Sequence, residues 1–172
     1  MRVSSVALAA ALTLVCVSAT LHGQRPDDQI DARSMTWLAK GRAAQAAGDF
    51  QGATDALETA VAVDPRNRVA FDTLAQVADQ SGLPGKAIRL YREALLLEPR
   101  DLVALKGQGE ALVRKGAVNR ARDNLAKLRA LCRGGPCPEA AQLAAAIAKG
   151  PPVATAQATT TVPPPASAAA AE

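Results

Sequence analysis

The stretch RVAFDTLAQVADQSGLPGKAIRLYREALLLEP, residues 68–99, contains two segments with the apolar spacing of an amphipathic helix. Gly82 and Pro84 stand between the segments, and proline suits the first turn of a helix, where its missing N–H costs no hydrogen bond. The stretch therefore predicts two helices joined by a tight turn. Its apolar positions are Val69, Phe71, Leu74, Ala75 and Ala78 in the first segment and Ala87, Ile88, Tyr91, Ala94 and Leu95 in the second.

The same pattern returns every 34 residues along the chain. Small residues recur at this step, and so do large apolar ones, and such self-similarity indicates a repeat architecture. We therefore expect helix pairs in residues 34–67, 68–101 and 102–135, with the small residues where helices cross closely. A bulky residue there would overpack the core, typically at about 1–3 kcal/mol. The columns are Gly48, Gly82 and Gly116; Ala53, Ala87 and Ala121; Gly41, Ala75 and Gly109; Trp37, Phe71 and Leu105; Leu57, Tyr91 and Leu125; and Pro65 with Pro99.

These repeats resemble those of the tetratricopeptide repeat (TPR) family. The first repeat carries the motif as Trp37, Gly41, "GDF" at 48–50, Ala53, Leu57, Ala60 and Pro65, and the second follows it closely. The third departs from it, because Leu128 and Arg133 stand where Ala and Pro are usual. The resemblance implies an all-α fold, an α-solenoid of three helix-turn-helix repeats, with Trp37, Phe71 and Tyr91 packed in the core. It implies a binding scaffold and no particular pathway.

A short helix is predicted after the third repeat. Residues 138–149, PEAAQLAAAIAK, place Leu143 and Ile147 on one apolar face, and Gly150 follows. Because the last repeat of a solenoid would otherwise expose its apolar face, we expect this helix to be a C-terminal cap.

Cys132 and Cys137 flank the loop before this helix. In an exported protein they can form a disulfide that holds the cap, worth roughly 2 kcal/mol by chain-entropy arithmetic. A redox-active pair is an alternative, because Cys137 would stand at a helix N-terminus near Arg133. A metal site is a weaker one, because zinc takes about four ligands and the single histidine is His22.

The N-terminal residues predict export. Arg2 precedes a short apolar run, and Val17 and Ala19 frame a cleavage position, so residues 1–19 resemble a signal peptide cut near Ala19. The run is shorter than the roughly 20 residues that span a bilayer, although retention as an anchor is an alternative. We expect a periplasmic protein without stable membrane insertion of the mature chain. The residues before Cys16 do not fit lipidation.

Two further segments lie outside the repeats. Residues 20–33 form a polar leader. Residues 150–172 form a Pro/Ala/Thr-rich tail, predicted to be disordered because such a composition buries little apolar surface. A tether to another envelope component is the alternative for the tail.

Charge and composition exclude several functions. The net charge is +4, and residues 102–135 carry eight basic side chains against two acidic ones. Nucleic acid is not expected as a partner, because single-strand binding needs aromatic platforms and only 2% of the residues are aromatic. No constellation for hydrolysis or phosphoryl transfer is visible, so we expect no enzymatic activity, no cofactor and no metal.

The leading hypothesis is a non-enzymatic adaptor or scaffold of the bacterial cell envelope that binds a peptide or protein segment. A self-assembling structural module, and so a homo-oligomer, is one alternative; a thiol-disulfide redox protein using Cys132 and Cys137 is another.

Binding of a chaperone C-terminal carboxylate is not carried over from the family, because Leu38 and Arg42 occupy positions where Lys and Asn would stand. By resemblance, the first helices of the repeats would line the groove with Arg42, Gln45, Asp72, Gln76, Asp79, Lys106, Glu110 and Arg114.

Overall fold

The computed structural model describes residues 29–133 and 135–152. Within these residues the fold is all-α, without a β-strand, and it has the helix pairs and capping helix of an α-solenoid. The predicted signal peptide, residues 20–28 of the polar leader and residues 153–172 of the tail lie outside the described residues, so those predictions stay predictions. The helices are α1 (Ala32–Ala46), α2 (Phe50–Val63), α3 (Arg68–Gln80), α4 (Pro84–Leu97), α5 (Leu102–Arg114), α6 (Val118–Cys132) and α7 (Pro138–Lys149).

The described residues form two compact units that divide within α3, between Leu74 and Ala75. The first unit, residues 29–74, holds α1, α2 and the first half of α3. The second unit, residues 75–152, holds the rest of α3 and α4 to α7. In the part of the chain that the structure describes, no helix is long and apolar enough to cross a membrane.

Helix ends follow the sequence signals. Asp101 caps α5 by accepting hydrogen bonds from the backbone N–H groups of Val103 and Ala104. Pro84 and Pro138 stand in the first turns of α4 and α7. The glycines that recur every 34 residues adopt positive φ values of 78°, 74° and 80°, which glycine adopts without steric cost, and they form the turns after α1, α3 and α5.

In the first unit, α1 and α2 pack through small residues, as the repeat pattern predicts. A Cβ atom on Gly41 would lie 2.5 Å from Cγ of Leu57, so only glycine fits there without a shift. Ala53 is fully buried on the facing helix. Trp37 is only half-buried, with the Lys40 Nζ 4.1 Å from its ring centroid, so this predicted core residue also contributes to the surface.

A buried polar network joins the start of α1 to the α2–α3 loop. The backbone N–H of Asp31 donates to Oδ2 of Asp64 (2.8 Å), and Nδ2 of Asn67 donates to Oγ of Ser34 (2.8 Å). Ser34 in turn donates to the carbonyl of Ala60 (2.7 Å). These bonds satisfy polar groups that would be costly to bury alone.

The carboxylate of Asp64 gives the first unit an expected acid sensitivity. Burial acts to raise the pKa of Asp64, but the side chain of Arg66, the N–H groups of Asp31 and Arg66 and the Arg66 charge outweigh it and lower that pKa. A lowered pKa contributes stability at neutral pH that is lost as pH falls through the folded-state value, here below about pH 4.

We therefore expect Asp64→Asn to be less stable than the wild type at neutral pH, and the gap in unfolding free energy to shrink in acid. Urea denaturation of both proteins over a pH series measures the gap. A gap that stays constant down to the lowest pH would contradict this assignment.

In the second unit, the cap is anchored by a core cluster of Leu105, Leu125, Leu128, Ala140 and Leu143. Leu143 is fully buried on α7. A Cβ atom on Gly109 would lie 2.5 Å from Cδ2 of Leu143, so the small residue in α5 lets the cap approach closely.

Cys132 and Cys137 are joined by a disulfide, with their Cα atoms 5.9 Å apart. The bond links the last residue of α6 to the residue before α7. Its role as a structural clip stays a prediction, because both a clip and a redox-active pair contain this bond.

Reduction should lower the unfolding free energy of the protein by roughly 2 kcal/mol, the value expected for a short closed loop. Urea denaturation with and without reductant measures this loss, and the Cys132→Ser, Cys137→Ser double variant should be insensitive to reductant. A measured reduction potential well above about −300 mV would instead favour the redox-active pair.

Candidate partner-binding surface

The predicted groove residues lie in both units. Arg42 and Gln45 are on α1, and Asp72 is on the first half of α3. Arg42 is exposed, whereas Asp72 is only 4% exposed and its Oδ2 accepts from Arg68 at 2.8 Å. Asp72 was expected to line the groove, but its burial leaves it little surface for a partner. The i, i+4 ion pair with Arg68 offsets the cost of burying the carboxylate of Asp72.

The second unit contains a surface depression of about 290 Å³ between the second half of α3 and α5. Gln76 and Glu110, which are 34 positions apart, face it from the first helices of neighbouring repeats. The structure thus brings four of the predicted groove residues to one place, although their binding role stays a prediction. The lining residues are Gln76, Asp79, Gln80, Tyr91, Val103, Lys106, Gly107 and Glu110.

Two of the predicted binding residues bind each other. Nε of Arg114 donates to Oδ1 of Asp79 at 2.8 Å, and Nη2 of Arg114 contacts Oδ2 of the same carboxylate. A two-point arginine–carboxylate pair is strong and directional. The pair ties α3 to α5 beside the depression, so neither charge is freely offered to a partner.

The ammonium group of Lys106 is also hydrogen-bonded within the protein. Its Nζ donates to Oε1 of Gln142 on the cap helix at 3.1 Å. This bond links α5 to α7, and it positions the Lys106 ammonium at the edge of the depression.

Glu110 differs from these neighbours. It is half-buried, and none of the described residues makes a hydrogen bond or ion pair with its carboxylate. It lines the 290 Å³ depression and also a second one of about 490 Å³. That second depression is lined by Glu110, Val113, Arg114, Ala146, Lys149, Gly150, Pro151 and Pro152.

Four residues that line the first depression are not among the predicted groove residues, and one of them, Gln80, is exposed at the end of α3. Val103 is 45% exposed and offers an apolar contact at its edge. Tyr91 was predicted as a core residue, and it is buried but also lines the depression. Gly107 has no small counterpart at Thr73, one repeat earlier, so the 34-residue columns do not mark it.

Amide, ammonium and carboxylate groups line the first depression. In the residues that the structure describes, no three His, Cys, Asp or Glu side chains come together to hold a metal ion. Amide, ammonium and carboxylate groups around a shallow depression can instead hydrogen-bond to a polypeptide segment.

No protein-family model matches the sequence, and no curated protein shows a significant match. Solved structures are similar. The TPR domain of Sgt2 from Aspergillus fumigatus has a TM-score of 0.64 at 20% identity, covering 81% of this chain and 98% of that one. The second TPR domain of human RPAP3, in complex with the HSP70 peptide SGPTIEEVD, has a TM-score of 0.61 at 18% identity, covering 68% and 93%.

MamA is similar with a TM-score of 0.56 and 26% identity, covering 58% of this chain. This chain spans 55% of the MamA chain. These likenesses show that the fold is TPR-like, as the sequence motifs predict.

Proposed function

We propose that the protein is a non-enzymatic adaptor that binds a peptide or protein segment on the first-helix surface of its second unit. The observation that carries the proposal is the convergence of Gln76, Lys106 and Glu110 on one depression. All three side chains are half-buried, so each can pack against a segment and still present its polar end.

The similar structures support this function. The RPAP3 domain is bound to a peptide, and this chain shares its fold. In that fold class, binding sites differ while the scaffold is kept, so the partner has to be argued from the side chains of this chain.

The proposal places the adaptor in the bacterial cell envelope. Its support is the signal-like pattern of residues 1–19 and a cysteine pair of the kind that persists in oxidising compartments. Isolation from the periplasmic fraction with an N-terminus near Thr20 would agree, and recovery from the cytosol with residues 1–19 intact would contradict this placement.

Site-specific photo-crosslinking tests the binding role. A photoreactive residue replaces Gln76 in the depression, and a matched control replaces Glu93, which is exposed on α4. In cells that produce the protein, we expect a discrete heavier band from position 76 and none from position 93. Equal bands from both positions would contradict a partner site in the depression. Charge reversal at Asp72 is unsuitable, since it would disturb the partly buried ion pair with Arg68.

Self-association is the second candidate function. Leu96 and Leu97 at the end of α4 are 70% and 42% exposed, and exposed leucines are a common feature of association surfaces. A crosslinked band only at twice the protein's own mass, together with sedimentation as a dimer, would favour this candidate over the adaptor.

A further inference from the structure

We propose that Glu110 selects the partner by pairing with a Lys or Arg side chain of the bound segment. The inference rests on the proposed adaptor function and names the chemical class of its partner, a segment with a cationic residue. It makes Glu110 the specificity-determining residue of the surface.

The two basic side chains beside Glu110 on α5 are bound by other residues. Arg114 is held by Asp79 through two contacts, and Lys106 donates to Gln142 at 3.1 Å. An acidic segment would have to compete with these bonds. Lys106 and Arg114 are therefore poorly placed to select an acidic partner. Lys149 also lines the 490 Å³ depression, but it is exposed, so its charge is screened more by solvent than that of the half-buried Glu110.

Within the described part of the chain, the carboxylate of Glu110 is not bound in this way. Lys106 and Arg114 stand one turn before and one turn after Glu110 on α5, but their bonds lead to α7 and α3. The Glu110 carboxylate has no ion-pair partner among the described residues. Because it is half-buried, a cation that reaches it is screened less than at an open surface.

Apolar residues lie beside Glu110. The 490 Å³ depression places Val113, Ala146 and Pro152 next to it, and these residues offer mainly carbon atoms to a ligand. An apolar side chain of the partner fits there while its neighbour reaches Glu110. We therefore infer a segment in which Lys or Arg stands next to an apolar residue.

The tail of the same chain lacks the required group. Residues 153–172 contain neither Lys nor Arg, and their only charged side chain is Glu172. The charge of Glu110 thus favours a separate molecule over the tail as the occupant. It also sets this surface apart from the RPAP3 domain, whose bound peptide SGPTIEEVD is acidic.

Selection from a random peptide library on the immobilised full chain tests the inference. The wild type is compared with Glu110→Gln, which keeps the shape and removes the charge, and with Glu93→Gln as an exposed control. We expect wild type and control to enrich peptides with Lys or Arg beside an apolar residue. Glu110→Gln should bind those peptides about tenfold more weakly, and equal thermal unfolding of the three proteins would exclude a folding defect.

A charge swap sharpens the test. Glu110→Lys should bind the selected peptide again once its Lys or Arg is changed to Glu. Enrichment of acidic peptides by the wild type, or equal affinity of Glu110→Gln, would overturn the inference and leave the adaptor function standing. Failure of every variant to select any peptide would overturn both.

Discussion

Leu143→Ala is expected to lower the free energy of unfolding of the second unit by about 2–5 kcal/mol, the largest effect that we predict. Leu143 is fully buried in the cluster that contains Leu105 and Leu128, and it covers Gly109. Truncation removes buried methyl groups and leaves a cavity between α5 and α7. A cap helix of 12 residues is marginal by itself, so loss of this contact should release it.

Urea denaturation measures this loss, with Leu96→Ala as the matched control. Leu96 carries the same side chain but is 70% exposed, so its truncation should change the unfolding free energy by less than about 0.5 kcal/mol. Similar losses for the two variants would mean that α7 does not cap the core in solution.

Gly107→Val is expected to destabilise the second unit by about 1–3 kcal/mol through overpacking. A Cβ atom on Gly107 would overlap Cζ and the hydroxyl oxygen of Tyr91, and Tyr91 is only 3% exposed, so its ring has little room to move. Gly85→Val is the control, because a Cβ atom on Gly85 would meet nothing within 4 Å.

A double-mutant cycle separates this contact from other effects of the substitution. In a Tyr91→Leu background the ring is gone, so Gly107→Val should cost distinctly less than in the wild type. An equal cost in both backgrounds would show that Tyr91 is not the group that excludes a side chain at position 107.

Much of the fold is predictable from the sequence because residues in one column of the repeat lie on equivalent faces of the helices. Gly41 and Leu57 belong to columns of the 34-residue pattern, and the structure packs them together. Local signals such as Asp101 and Pro84 mark helix starts, since capping and proline geometry act within one turn. The columns come from the 34-residue period and the caps from residues within one helical turn, so both can be found in a single sequence.

Contacts that do not recur in each repeat cannot be predicted from the columns or from the helix-end signals. The hydrogen bonds from Asp31 N–H to Asp64 and from Asn67 to Ser34 join the start of α1 to the α2–α3 loop, and no periodic column marks them. The tight approach of Gly107 to Tyr91 joins the third repeat to the second, and Thr73 stands at the position equivalent to Gly107 one repeat earlier. Such contacts depend on the tertiary structure, which the pattern of apolar residues does not specify.

Four of the eight predicted groove residues lie at one depression, and their binding role stays a prediction. Family resemblance placed Gln76 and Glu110 on first helices, and the structure brings them to one depression. The pairing of Arg114 with Asp79 was not foreseen, because Gln80 and Gln45 at the equivalent positions one repeat earlier carry no charge. The pairing of a long charged side chain depends on its length and on the positions of its neighbours. The residue types alone therefore do not show which charged side chain remains available to a bound segment.

The most direct test of the central claim is an NMR titration of the labelled full chain with a peptide selected from the library. The account predicts the largest chemical-shift changes at Gln76, Val103, Lys106 and Glu110. Changes confined to the exposed basic residues of α6, such as Arg122 and Arg129, would contradict it, because the partner would then bind outside the depression.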